Sequence, residues 1–207
     1  MRSNVLFASG FAILALAGAA QASNVLANPG FESGLAGWNT FGNVFADAST
    51  PRSGDGVAKM FGGFSGGFNV GGFFQTFAAT PGQTWELSGY VRHNTGDNLT
   101  GIGNQNPAAD NWVVQKFEFR DASDTAIGST EASVLDGRTA TDAWFGNTLS
   151  LTAPAGTQSI WAFYLFLQPQ FAGGAVLIDD TSLSVVPAPS AIAVLAGAGL
   201  LVGRRRR

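Results

Sequence analysis

The sequence predicts an all-β protein, an antiparallel β-sandwich or barrel, flanked by an N-terminal signal helix and a short C-terminal transmembrane helix. Three observations carry the prediction. The 207-residue chain holds 28 glycines and 17 phenylalanines, and glycine with aromatic and β-branched residues favours strands and turns over helices. Segments of alternating apolar and polar residues, bounded by Gly, Pro, Asn and Asp, recur along its middle, which is the pattern of half-buried strands. Few segments show helical periodicity, and no internal period marks a repeat array.

The expected strands run over 24–27, 38–46, 57–61, 70–78, 83–93, 112–121, 125–134, 144–153, 158–168 and 174–186. Turn signals fall at Pro81-Gly82, Asp136-Gly137, Pro154-Ala155-Gly156 and Gly173-Gly174. In TWELSGYVR, Trp85, Leu87, Gly89 and Val91 share one face, and Glu86, Ser88, Tyr90 and Arg92 share the other. In WVVQKFEFR, Val113, Gln115, Phe117 and Phe119 oppose Trp112, Val114, Lys116, Glu118 and Arg120. In WFGNTLSLT, Phe145, Leu149 and Leu151 line up with Asn147. SIWAFYLFL is apolar on both faces and is expected as a central strand covered on both sides. FGGFSGGFNVGG, from Phe61 to Gly72, is expected as a loop. It either exposes Phe64 and Phe68 to a ligand or folds over the sandwich end with its phenylalanines buried; the cost of exposing phenylalanine favours the second.

Charge and composition exclude several functions. All 14 acidic residues lie between Glu32 and Asp180, while Arg2 and Arg204 to Arg207 stand at the ends. The middle sets six basic against fourteen acidic residues, a net charge of −8. Such a body repels phosphate backbones, so nucleic acid is excluded as a partner. With no cysteine, disulfides, thiol catalysis and cysteine-ligated metals are excluded. His93 is the only histidine, which removes multi-histidine metal sites and leaves it as a satisfied or exposed side chain. No Gly-x-Ser-x-Gly elbow or phosphate-binding loop is present.

The two ends read as addresses. MRSNVLFASGFAILALAGAAQAS has Arg2, a mostly apolar run from Val5 to Ala20, and the small-x-small pattern Ala20-Gln21-Ala22. Residues 1–22 are expected to be a secretory signal peptide, cut by signal peptidase after Ala22. The alternative, an uncleaved anchor, is opposed by the short run and the cleavage pattern. At the other end, Ala191 to Gly203 is a run of 13 apolar or small residues. As a helix it spans about 20 Å, against roughly 30 Å of hydrocarbon. Pro187 and Pro189 block helix upstream, and Arg204, Arg205, Arg206 and Arg207 hold their end on the cytoplasmic side. That order suits a temporary stop in the inner membrane. With Pro187-Ala188-Pro189 in place of Pro-Glu-Pro, residues 187–207 resemble the PEP-CTERM sorting signal of Gram-negative bacteria. The resemblance implies processing by an exosortase, a membrane protease-transpeptidase, and release or attachment at the cell surface. A plain tail anchor is the alternative.

Between the addresses, residues 23–186 open with Asn28-Pro29-Gly30-Phe31-Glu32 and Trp38, place Gln75 on the strand before Pro81-Gly82, and close with Ile178-Asp179-Asp180. In this order they resemble the jelly-roll carbohydrate-binding modules of the galactose-binding-like superfamily. The resemblance implies a two-sheet antiparallel sandwich, often with a structural calcium, and sugar binding in a concave groove or on loops. The matching calcium positions are Glu32, the loop Ser53-Gly54-Asp55, and Asp179 or Asp180, whose hard oxygens suit Ca²⁺. Adjacent Asp179 and Asp180 point to opposite faces of a regular strand, so only one can meet a given ion without a bulge. Alternatively these carboxylates cap turns.

A sugar site pairs an aromatic platform with polar groups. Tyr90 and Arg92 on one strand, and Trp112 and Glu118 on another, offer that mixture. If the strands are neighbours, their charges can equally pair across a solvated face. The amide-rich loop from Gly96 to Asn111 is a second candidate. Glu86 and Glu118 are a candidate glycosidase acid and nucleophile, although any sandwich carries carboxylates on its outer face. The expected protein is an exported, exosortase-sorted, non-catalytic component of the cell surface or of an extracellular biofilm matrix. It either binds polysaccharide or plays a purely structural part.

Overall fold

The computed structural model describes residues 22–101 and 110–187. These form ten antiparallel strands: β1 (Asn39–Phe41), β2 (Asn43–Asp47), β3 (Val57–Phe61), β4 (Asn69–Ala78), β5 (Thr84–Arg92), β6 (Trp112–Arg120), β7 (Ala126–Asp136), β8 (Phe145–Thr152), β9 (Ser159–Gln168) and β10 (Ala175–Val186). One sheet, called A here, has the order β1-β4-β9-β6-β7; the other, B, has the order β2-β3-β10-β5-β8. No helix occurs among the described residues. The signal segment 1–21 and the sorting segment beyond Pro187, with Ala188, Pro189 and Arg204 to Arg207, lie outside them.

Eight of the ten expected strands appear within two residues at either end, and 57–61 matches at both. Three expectations are corrected. Residues 24–27 form no strand. The segment does run beside β10, with Val25 N–H donating to Leu183 O (2.8 Å). The Asn24 side chain replaces the rest of a ladder, accepting from Leu183 N–H (3.0 Å) and donating to Thr181 O (2.9 Å). The expected strand 38–46 divides at Gly42 (φ 68°) into β1 of sheet A and β2 of sheet B. A side chain at Gly42 would meet the Gly71 backbone at 2.8 Å, so the chain changes sheet where only glycine fits. Third, Phe64 and Phe68 are not buried: they are 45% and 60% exposed.

The core follows from the alternation. β5 buries Trp85, Leu87 and Val91, β6 buries Val113, Phe117 and Phe119, and β9 buries Ile160, Ala162, Tyr164 and Phe166. Phe31, Trp38, Phe73 and Tyr164 form an aromatic row with centroid spacings of 4.9–5.5 Å, a geometry that adds to area burial. The NPGFESGLAGW loop that delivers Phe31 and Trp38 is held by Asn28. Its side chain donates to Gly34 O and accepts from Ser33 N–H, and its carbonyl accepts from the Trp38 indole.

One polar network joins the sheets inside this core. Tyr164 of sheet A donates to Ser88 O of sheet B (3.0 Å). Gln115 donates to the Tyr164 hydroxyl (3.0 Å) and to Leu87 O (3.3 Å), and accepts from Asn147 (2.6 Å). Burial pushes the Tyr164 hydroxyl well above the usual phenol range, so it remains a donor. Gly89 lies beneath that hydroxyl, and a Cβ there would collide with it. Gly89→Ala is therefore expected to cost about 1–3 kcal/mol. Adding Tyr164→Phe should recover part of the loss, a coupling that urea unfolding of the two single variants and the double variant would measure.

Candidate functional site

The largest departure from expectation is β9. Its outer face, with Trp161, Phe163, Leu165 and Leu167, is covered by no other element among the described residues; each of these side chains is half-buried by its neighbours in the same sheet. Register fixes those neighbours. Trp161 lies between Thr76 and Glu118, Phe163 between Phe74 and Lys116, Leu165 between Gly72 and Val114, and Leu167 between Val70 and Trp112. The outer face of sheet A thus has an aromatic half on β1, β4 and β9 and a charged half on β6 and β7.

In the aromatic half the rings pack side by side. Phe74 stacks on Trp161 (5.2 Å, 6° between planes) and packs beside Phe163 (5.3 Å). Phe41 adds a ring 6.4 Å from Phe74. Arg120 covers the Trp161 ring with its guanidinium, 4.0 Å from the centroid, a cation–π contact. In the charged half, Glu118 is buried between Arg120, its close ion-pair partner, and Lys116 (3.2 Å). Lys116 also reaches Glu131 (3.9 Å), and Arg120 reaches Asp124 (3.3 Å). At the far end Trp112 packs against the exposed Phe68 (6.2 Å).

The four residues selected from sequence for sugar binding divide between the two sheets. Trp112 and Glu118 stand on this face. Tyr90 and Arg92 stand on the outer face of sheet B, because β5 and β6 belong to different sheets. The two pairs therefore do not converge. Tyr90 is also engaged: the Arg52 guanidinium lies 3.5 Å over its ring. A hollow of about 430 Å³ beside it is walled by Ser88, Gly89, Gly146, Asn147 and Thr148. Arg92 pairs with Asp142 (3.3 Å) and donates to Asn94 (2.6 Å). Glu86 shares β5 with Tyr90, so Glu86 and Glu118 cannot flank one glycosidic bond. His93 is buried and satisfied: Nδ1 accepts from Leu99 N–H (3.1 Å) and Nε2 donates to Thr139 O (2.9 Å).

The calcium candidates do converge. β10 bulges between Asp179 and Ser182, with Asp180 at φ 47°, which relieves the opposite-face restriction. Oxygens of Glu32, Asp179 and Asp180 lie 3.7–3.8 Å from the point a Cβ on Gly30 would occupy. Each is already engaged. Glu32 accepts from Asp55 N–H (2.8 Å), Asp179 from Arg52 N–H (2.8 Å) and Ser53 N–H (3.2 Å), and Asp180 from the Ser53 hydroxyl (2.6 Å) and Arg52. Burial raises the Asp179 carboxyl above the usual carboxylate range, against the backbone donors of Arg52, Asp180 and Ser53 and with a smaller push from the Asp180 charge. As they stand, these residues do not fit an ion at 2.3–2.6 Å; among the described residues no group of three or more His, Cys, Asp or Glu side chains is spaced for a metal.

The second sequence candidate, the loop from Gly96, is described as far as Gly101 and again at Asp110 and Asn111; residues 102–109 lie outside the described residues. Its ends line a cavity of about 340 Å³ with Trp112, Ser133, Asp136 and Arg138. Sequence reasoning missed Phe74, Trp161 and Phe163. The signal for them was a strand apolar on both faces, which reads equally as double coverage.

Other proteins share this sandwich. The bacteriophage CBA120 tailspike protein 4 enzymatically active domain superposes with a TM-score of 0.58 at 13% identity, over 79% of this chain and 21% of that one. The stig cyclase Fisc from Fischerella sp. TAU gives 0.54 at 15% identity, over 82% and 100%. A family 16 carbohydrate-binding module gives 0.50 at 19%, over 77% and 99%. The chain spans about a fifth of the tailspike chain. At these identities the likeness shows the jelly-roll fold alone, and that fold carries both binding modules and enzymes. No known protein family matches the chain, and comparison with curated proteins finds no significant relative.

Proposed function

We propose that this is an exported, non-catalytic protein of the cell surface or extracellular matrix that binds polysaccharide on the outer face of sheet A. The observation that carries the reading is the uncovered aromatic half of that face beside a row of paired charges. Rings give apolar contact to the C–H faces of sugars, and adjacent polar groups orient hydroxyls. The fold shared with a family 16 carbohydrate-binding module supports it. A purely structural role is the second reading, favoured by the stacking of Phe74, Trp161 and Arg120, which satisfies those groups internally.

Export and sorting belong to the same proposal. Signal peptidase removes residues 1–22, the apolar run and Arg204 to Arg207 pause the chain in the inner membrane, and an exosortase cuts near Pro187-Ala188-Pro189. The calcium that the resemblance implies has one candidate place, Glu32 with Asp179 and Asp180, and the pairing of Arg52 with Asp180 closes it.

Three measurements test these statements. On a glycan array, residues 23–187 should bind saturably. Trp112→Ala and Trp161→Ala should each weaken binding by about tenfold or more, while Tyr90→Ala leaves it unchanged. No binding to any glycan favours the structural role. With Glu32, Asp179 and Asp180 already engaged, the Tm should be indifferent to calcium and EDTA; a gain of about 2.7 kcal/mol at a hundredfold excess of calcium over its dissociation constant would show that the cluster opens to an ion. Mass spectrometry of the exported protein should find a chain ending near Pro187. A mature chain that retains Leu195 to Arg207 contradicts sorting.

A further inference from the structure

The cavity beside Trp112 has a chemical bias of its own. Asp110 Oδ2 and Asn111 Oδ1 are buried and have no hydrogen-bond partner among the described residues. Asp110 is 8% exposed and Asn111 0%. A buried acceptor without a donor costs about 1–3 kcal/mol, and more for a charged group. Asn111 lines the same cavity and is fixed by its own amide, which donates to Ala172 O (2.6 Å) and Gly173 O (3.0 Å). The nearby cation, Arg138, is committed to Asp136 as an ion pair, with Arg138 N–H also donating to Asp136 (2.9 Å).

The same holds throughout the body. Arg52, Lys59, Arg92, Lys116, Arg120 and Arg138 are its six cations, and each is paired with a carboxylate. The body's net charge is −8. No uncommitted cation is therefore offered to a uronate or a sulfate among the described residues, and the long-range field repels both. A neutral sugar would bring no charge to Asp110, on which Arg138 acts through space while bonded to Asp136. An ammonium group supplies donors and charge together, and the Trp112 ring attracts it further.

We propose that this cavity takes one residue of an amino-sugar polysaccharide, a hexosamine unit with a free ammonium group, its ring against Trp112 and its ammonium on Asp110. This deepens the polysaccharide reading above and rests on it. The probes are chito-oligosaccharides of one length, fully acetylated and fully deacetylated, with an oligo-uronate of similar size, titrated calorimetrically at a pH where the amines are protonated. The deacetylated oligomer should bind about tenfold tighter than the acetylated one, and high salt should shrink that preference. Asp110→Asn, which preserves shape and removes the charge, should abolish the preference in a protein that still unfolds cooperatively, by lowering the affinity for the deacetylated oligomer towards that for the acetylated one. Equal affinity for the two oligomers, tighter binding of the uronate, a preference undiminished by salt, or one that survives in Asp110→Asn overturns the inference while the wider reading stands. Failure of the whole protein to bind any glycan overturns both.

Discussion

The hydroxyl of Tyr164 is the point on which the geometry of the molecule turns. It leaves β9 in sheet A, passes between the layers and bonds to the backbone of β5 in sheet B. Gln115 donates to it and is itself held by Asn147, so a polar group in an apolar core is satisfied from both sides. Breaking such a network strands several buried groups at once. The bulge in β10 falls opposite Gly89, where the hydroxyl lands. Backbone irregularity, missing side chain and tyrosine form one device.

That device reaches the outer surface through strand periodicity. Side chains alternate along β9, so Tyr164 inward places Trp161, Phe163, Leu165 and Leu167 outward. A slip of one residue would reverse every assignment. For an ordinary strand the hydrophobic pattern forbids the slip. Here both faces are apolar, and pattern alone gives no preference. The inward hydrogen bonds of Tyr164, and of Gln168 to Ala172 O at the strand's end, decide which face is core and which is available to a partner.

The same reasoning separates what could be read in the sequence from what could not. TWELSGYVR and WVVQKFEFR declared their inner faces because alternation is a local property, and Trp85, Leu87, Phe117 and Phe119 are buried as the pattern requires. Which strands lie side by side is a property of chain crossing. Tyr90 and Trp112 each face outward as expected, yet on opposite sides of the sandwich, since β5 pairs with β8 and β10 while β6 pairs with β7 and β9. The Glu32, Asp179 and Asp180 cluster was legible through resemblance; its closure by Arg52 was not, because Arg52 is about 128 positions from Asp180 and carries no local motif. The aromatic half of sheet A was hidden by ambiguity in a single strand.

The course of β10 has a mechanical meaning. It is the middle strand of sheet B, bonded along one side to β3 and along the other to β5, and the chain leaves the sandwich from its end. The opening segment is stitched to it at Leu183, so both ends of the domain emerge at one corner. A pull on the C-terminal side acts along β10 and loads its β5 ladder in shear, bond alongside bond, instead of peeling an edge strand one pair at a time. A body held by that end against flow transmits tension through its most interior strand of sheet B, while sheet A, with its ring-bearing face, stays outside the line of force.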